Sequence, residues 1–289
     1  MFIFGLLNTL SYLISCLGFR GICHVSRFLS YLSFDIFRIR RSIIMQNLDI
    51  VFQESKTQKE KEHIGRKSME SFFSTMFEFF AAKHLFPKAK INLVHPEIPE
   101  NLMKQGKGLY GLCIHMSNWE LMCHINAVRF SPINVVVKKI GKGAVSRWVE
   151  KRRYDIGFRL IDRKSSVSPT TQIFQALSRK EIIGFIVDQK RPRGEKLPFF
   201  GKIASTNNSL VKLFLRQKAP IMPVIMKRKG YGEFDIIYFP EFVVEENCYT
   251  TFGEVVTINT ARMNTLVEKM ILENPEEYFW MHNRWDLKK

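Results

Sequence analysis

Acidic side chains are scarce in this chain. Its 289 residues hold 27 Asp and Glu against 44 Lys and Arg, a formal net charge of +17. An imbalance of that size calls for an acidic partner, whether nucleic acid, anionic lipid or an acidic protein. Cysteine is scarce too: five residues, an odd number, with no C-x-x-C pair. That excludes a disulfide framework and points to reduced thiols in the cytoplasm. No zinc-finger or RNA-binding signature occurs, which weighs against nucleic acid. No Walker loop, G-x-S-x-G elbow or H-E-x-x-H run is present, so nucleotide hydrolysis, serine hydrolysis and a zinc-dependent site lose support. The chain has no internal repeat and no low-complexity stretch.

Charge is missing altogether from residues 1–19 (MFIFGLLNTLSYLISCLGF). This length is about what a bilayer core requires, although Asn8, Thr9, Ser11 and Ser15 make it a marginal span. The basic leader and small-x-small site of a cleaved signal are absent. Arg20, Arg27, Arg38, Arg40 and Arg41 follow, opposed only by Asp35, which sets that side as cytoplasmic if the segment spans. An amphipathic helix lying in the interface is the alternative. Residues 1–41 are therefore expected to form a membrane anchor with a basic juxtamembrane segment, and 42–289 a catalytic domain.

Beyond the anchor, helical and strand periods alternate. A long amphipathic helix runs from Glu60 to Phe80, ending near Phe86-Pro87. Strands are expected at 109–114, 133–137, 158–161, 182–187, 221–226 and 234–239. Helices are expected from Asn118, at 144–154, after Ser168 with Pro169 at its first position, from 205–209 to 219–220, and at 260–272. The alternation predicts an α/β fold with a central, mostly parallel or mixed sheet flanked by helices. Residues 188–202 (DQKRPRGEKLPFFGK) read as a basic Pro- and Gly-rich loop after a strand's carboxyl end, the side where such sheets bind substrates.

The chemistry concentrates in residues 108–128. The apolar run Leu109–Ile114 reads as a buried strand, and Trp119, Leu121, Met122 and Ile125 recur at helical spacing. His115 and Glu120 fall at the junction. Imidazole can take a proton from a hydroxyl near neutral pH, and a carboxylate behind it fixes the tautomer. Ser117 and Glu120 equally fit a capping box, with Ser117 as N-cap, and residue types alone leave both readings open. Cys113, two residues from His115, reads as a core residue because nothing nearby would activate its thiolate. Glu120 with His124 at i and i+4 is too loose a spacing to argue for a metal.

An ordered set of motifs extends the junction: Arg40-Arg41 with Asn47-Leu48 and Phe52; His115-Met116-Ser117-Asn118-Trp119-Glu120; Asp188-Gln189; Pro198-Phe199-Phe200-Gly201 with Ala204-Ser205-Thr206; and Tyr278-Phe279-Trp280-Met281-His282 with Arg284. Over nearly its whole length the chain resembles the late acyltransferases of lipid A biosynthesis, the lauroyl and myristoyl transferases of Gram-negative inner membranes, relatives of the glycerolphosphate and lysophospholipid acyltransferases. The resemblance implies transfer of a fatty acyl chain from acyl carrier protein to a hydroxyl of a phosphorylated glycolipid. The catalytic domain would then lie on the cytoplasmic side of the bacterial inner membrane. Another acceptor, such as a lysophospholipid, is the nearest alternative, and a non-catalytic basic membrane-surface protein a more distant one. No metal or dissociable cofactor is implied, since the donor rides on the carrier's phosphopantetheine. By motif, His115 corresponds to the general base, Glu120 to its partner, and Arg152, or else Arg153, to an oxyanion-stabilising arginine. Asn118, Trp119, Asp188, Gln189, Lys190, Arg191, Arg193 and Lys202 are candidate substrate contacts. The family usually has glycine where this chain has Ser117.

Overall fold

A computed structural model describes residues 2–136, 143–161, 165–246 and 251–287. Its central strand is β2 (Leu109–Cys113), whose run of apolar residues is buried from end to end. A strand buried on both faces belongs in the middle of a parallel sheet. Counting along the chain, the other strands are β1 (Lys90–Val94), β3 (Ile133–Val136), β4 (Phe158–Ile161), β5 (Ile182–Ile186), β8 (Ile221–Gly230) and β9 (Glu233–Tyr238). They pair in the order β1-β9-β8-β2-β5-β3-β4. All neighbours are parallel except β8 and β9. The expected mostly parallel, mixed α/β sheet is what forms. Val137, assigned to the third strand from sequence, lies outside the described residues.

Successive residues of β2 point to opposite faces, as the pleat requires. Tyr110 and Leu112 join a core built with Phe34, Leu48 and residues of α9 (Pro169–Ser178), α10 (Ser209–Gln217) and α11 (Phe252–Leu272). Leu109 and Cys113 face a second core, with Leu121 and Met122 of α7 (Trp119–Arg129) and Leu102 of α6 (Glu97–Lys104). Helix α8 (Gly143–Asp155) leads into β4. The long helix α4 (Gln58–Phe80) starts with a true capping box, Thr57 and Glu60, and continues into the short α5 (Ala82–Leu85).

The last helix starts earlier than expected, at Phe252 instead of 260, and two further sequence expectations change. Residues 188–202 are not all loop: β6 (Glu195–Phe199) and β7 (Lys202–Thr206) form an antiparallel hairpin. Phe200 and Gly201 turn it, both with positive φ, the backbone that a two-residue hairpin favours. Helix α10 accordingly starts at Ser209, because Ser205 and Thr206 belong to β7. The second change concerns residues 1–19. Helix α1 (Phe2–Cys16) stops, and α2 (Gly18–Tyr31) leaves at 98°. Gly18, at φ +60°, makes the bend. At 1.5 Å per residue α1 is roughly 22 Å long, short of a hydrocarbon core of about 30 Å. Among the described residues no single helix is long and apolar enough to cross a membrane, though the bent pair passes that test jointly. Helix α2 is tied to the body: Ile22 is fully buried and Ser30 Oγ donates to the Arg66 carbonyl at 2.6 Å.

Buried polar ties position the edge of the sheet that carries the site. Arg228 of β8 donates through both Nη atoms to Glu78 of α4, at 2.8 and 2.9 Å. The amide of Asn118 donates to the same carboxylate at 2.7 Å, while its Oδ1 accepts from Leu121 N–H and caps α7. On the far side, α3 (Arg41–Phe52) presents Asn47, whose amide donates to the carbonyls of Trp280 and His282. Arg284, stacked on Phe199, donates to the Ser205 carbonyl and the Thr206 hydroxyl. Much of the motif set noted in the sequence is therefore structural.

Removing Glu78 strands a buried guanidinium, so Glu78→Ala is expected to lower stability by about 3–5 kcal/mol in denaturant unfolding. A second expectation concerns pH. His282 Nε2 accepts from Lys190 N–H at 2.9 Å, and burial pushes its imidazole down to about 4 from the ordinary 6.5. Between those two values the unfolded chain binds a proton that the folded chain refuses, so stability falls as pH drops through that window. His282→Gln keeps an acceptor without a titrating group. It should flatten that part of a plot of Tm against pH.

Candidate active site

The parallel pairing of β2 with β5 sets Cys113 opposite Ile186. Two residues beyond each stand His115 and Asp188, which are 73 apart in sequence and adjacent in space. His115 Nδ1 lies 3.0 Å from one Asp188 oxygen and 3.3 Å from the other. The Asp188 side chain is 1% exposed and that of His115 20%, so the carboxylate is sealed behind a ring that reaches solvent. Burial by itself would raise the Asp188 carboxyl. The neighbouring His115 charge and hydrogen bonds outweigh that and hold it below the usual carboxylate range. An ionised carboxylate only accepts, so Nδ1 carries the hydrogen, and in the neutral ring Nε2 keeps its lone pair. Trp119 and Phe279 hold the ring, with centroids 5.1 and 5.9 Å away. Gln189 Nε2 approaches His115 Nε2 at 3.5 Å.

Glu120 is not the partner of His115. It is 3% exposed, and its carboxylate takes Nη2 and Nε of Arg153, at 2.5 and 3.4 Å. The capping box is not formed either, since Asn118 caps α7 in place of Ser117. Ser117 itself adopts φ +51°. A left-handed φ between β2 and α7 is the backbone that glycine adopts most readily. Asn118, expected as a substrate contact, is fully buried in its capping role.

His115 lines a cavity of about 870 Å³. One part of its wall is apolar: Cys113, Cys123, Val135, Phe158 and the bare backbone of Gly184. Another part is basic and polar, with Gln189, Lys190 and Arg191 after β5 joined by Lys212 and Arg216 from α10. Trp119, Glu120 and Arg153 also face it. Arg193 and Lys202, both exposed, are not among the lining residues, because the hairpin carries them elsewhere. Arg152 does not face it either. As helical neighbours, Arg152 and Arg153 point to different sides of α8, and only Arg153 reaches Glu120. Burial pushes the Cys113 thiol up to about 12 and the Cys123 thiol well above its ordinary value. Neither supplies a thiolate, in keeping with the core assignment of Cys113.

Sequence reasoning missed Lys212 and Arg216, which look like ordinary solvated positions of an amphipathic helix. It missed Glu78 and Arg228 as well, since nothing in the sequence pairs residues 150 apart.

Comparison of the sequence with known proteins identifies its family. The model for bacterial lipid A biosynthesis acyltransferases matches residues 1–287. The chain is 23% identical over 265 residues to a lipid A biosynthesis palmitoleoyltransferase of Escherichia coli (strain K12), covering 85% of this chain and 78% of that one. It is 24% identical over 255 residues to a lipid A biosynthesis lauroyltransferase of the same organism, covering 85% and 79%. A lipid A biosynthesis acyltransferase of Shigella flexneri aligns at 23% over 265 residues. The match spans both N-terminal helices, the His115 junction and the closing Trp280–Arg284 segment, and the chain is an acyltransferase that belongs to the bacterial lipid A biosynthesis acyltransferase family.

Proposed function

We propose that this acyltransferase moves a fatty acyl chain from the phosphopantetheine thioester of acyl carrier protein to a hydroxyl of a phosphorylated lipid A precursor, working at the cytoplasmic face of the inner membrane. The observation that carries this reading is the His115–Asp188 pair opening onto a cavity with one apolar wall and one cationic wall. An acyl chain fits the first, phosphates the second. The name shared by its relatives supplies the acceptor class.

In this mechanism His115 Nε2 accepts the proton of the acceptor hydroxyl as its oxygen attacks the thioester carbonyl carbon. Asp188 holds the ring and stabilises the imidazolium that forms. The carbon–sulfur bond then breaks, and the imidazolium returns its proton to the departing pantetheine sulfur. No enzyme nucleophile is needed. Arg153, fixed by Glu120, is the donor assigned to the developing oxyanion. Glu120 is thus a positioning residue for Arg153. Lys190, Arg191, Lys212 and Arg216 would meet phosphate oxygens of the glycolipid or the carrier.

Outward apolar side chains of the bent helix pair, among them Leu6, Leu13 and Phe28, support membrane attachment. They favour a helix pair lying in the interface over a straight span. Arg20, Arg38 and Arg40 are exposed beside them, whereas Arg41 is bound to Glu62 at 2.7 Å. Each exposed arginine near anionic headgroups contributes about 1 kcal/mol.

Transfer from acyl carrier protein in vitro tests the roles. His115→Ala and Asp188→Asn are each expected to lower kcat by roughly 10²- to 10⁴-fold while the protein still sediments with membranes. Glu120→Ala should cost as much as Arg153→Ala, and the double variant no more than either alone, because the two act as a unit. Undiminished turnover in His115→Ala and Asp188→Asn would overturn the assignment. Additive losses for the Glu120 and Arg153 variants would separate those two residues.

A further inference from the structure

The Arg152 guanidinium forms no ion pair among the described residues, and the carboxylate whose charge acts on it, Asp155, is already bound to Lys151. Arg152 is 5% exposed, its guanidinium lies 4.8 Å over the Trp148 ring, and among the described residues it makes no hydrogen bond. Its Nε is buried and unsatisfied. A buried cation without an acceptor is costly, and proteins keep one only where a ligand or water meets it. Arg152 lines a second cavity of about 510 Å³ that shares no lining residue with the cavity at His115.

Part of the wall of this second cavity is basic. Lys83, His84, His124 and Lys151 line it with Arg152. Asp155, the one carboxylate among the lining residues, is held by Lys151 at 2.9 Å. His124 uses Nδ1 on the Ile156 carbonyl, which leaves Nε2 uncommitted. Another part of the wall is α1, contributing Phe4, Asn8 and Ser11, beside apolar residues such as Phe86 and Trp148. Asn8 Oδ1 accepts from Trp148 Nε1 at 2.9 Å and fastens α1 across the cavity. On the same helix Ile3, Leu6, Leu10 and Leu13 are exposed, so the cavity adjoins the segment assigned to the membrane surface.

We propose that this cavity binds a phosphate group, and that the phosphate is the headgroup of an anionic phospholipid whose acyl chains lie along α1. A planar guanidinium fork with an ammonium nearby suits a tetrahedral oxyanion, and the exposed leucines of α1 supply an apolar path for the chains. The site goes beyond the transfer reaction and does not depend on it. Its role is to strengthen the hold of the N-terminal helix on the catalytic body, beyond the Asn8–Trp148 hydrogen bond that already joins them.

The test uses the full chain in neutral detergent, with thermal unfolding followed as inorganic phosphate, short-chain phosphatidylglycerol or short-chain diacylglycerol is added at constant ionic strength. Phosphatidylglycerol should raise Tm saturably and diacylglycerol should not. In Arg152→Met that shift should vanish, with the apparent Kd weakened about tenfold or more. Lys83→Gln, an exposed change with little risk to folding, should weaken it severalfold and decides the matter if Arg152→Met does not fold. The double variant Lys212→Gln/Arg216→Gln removes binding at the other cavity and should leave the Arg152-dependent shift intact. An equal shift with inorganic phosphate alone would keep the phosphate site but overturn the phospholipid as its occupant. An unchanged shift in Arg152→Met and Lys83→Gln, or none in the unaltered chain, would overturn the site itself.

Discussion

Much of this structure depends on how β2 pairs with β5. Parallel strands hydrogen-bonded in register advance together, so residues equally far past the last pair emerge side by side at the carboxyl edge. Cys113 opposite Ile186 therefore sets His115 against Asp188. Because β5 also lies between β2 and β3, the chain crosses over it, and helices leave this edge toward both faces of the sheet. The cavity sits in that divergence, which is where open α/β sheets hold their ligands.

Around the pair, charge is placed by burial rather than by proximity in sequence. Asp188 and Glu120 are both sealed, yet they do different things. Asp188 faces an imidazole and fixes its tautomer. Glu120 faces a guanidinium and fixes its direction. A third sealed acid, Glu78, holds Arg228 and the capping amide of Asn118, so the start of α7 cannot drift relative to β8. Glu78 and Glu120 each have a guanidinium and Asp188 an imidazole N–H, as the cost of burying a lone charge demands. Arg152 breaks that pattern, and its solitude is what marks the second cavity.

The N-terminal segment shows a related division. Its lack of charge reads as a membrane anchor, but the 98° bend at Gly18 turns one hydrophobic run into two short helices. The second of these packs on α4, burying Ile22 and Ser30. What composition presents as an appended anchor is in part a layer of the catalytic body.

Residue order alone determined the α/β class, most strands and helices, the basic character, and the junction that holds His115, because these follow from local period, caps and composition. It also brought Asp188 and Gln189 forward as residues at a strand's carboxyl end. Only the tertiary structure decided that Asp188 rather than Glu120 backs the imidazole, that Arg153 rather than Arg152 enters the site, and that Lys212 and Arg216 complete it. Strand order and the direction of a helical side chain are properties of long-range packing. Four residues of chain separate His115 from Glu120 on paper, yet the left-handed turn at Ser117 sends Glu120 to α8, while a residue 73 positions away arrives at 3.0 Å.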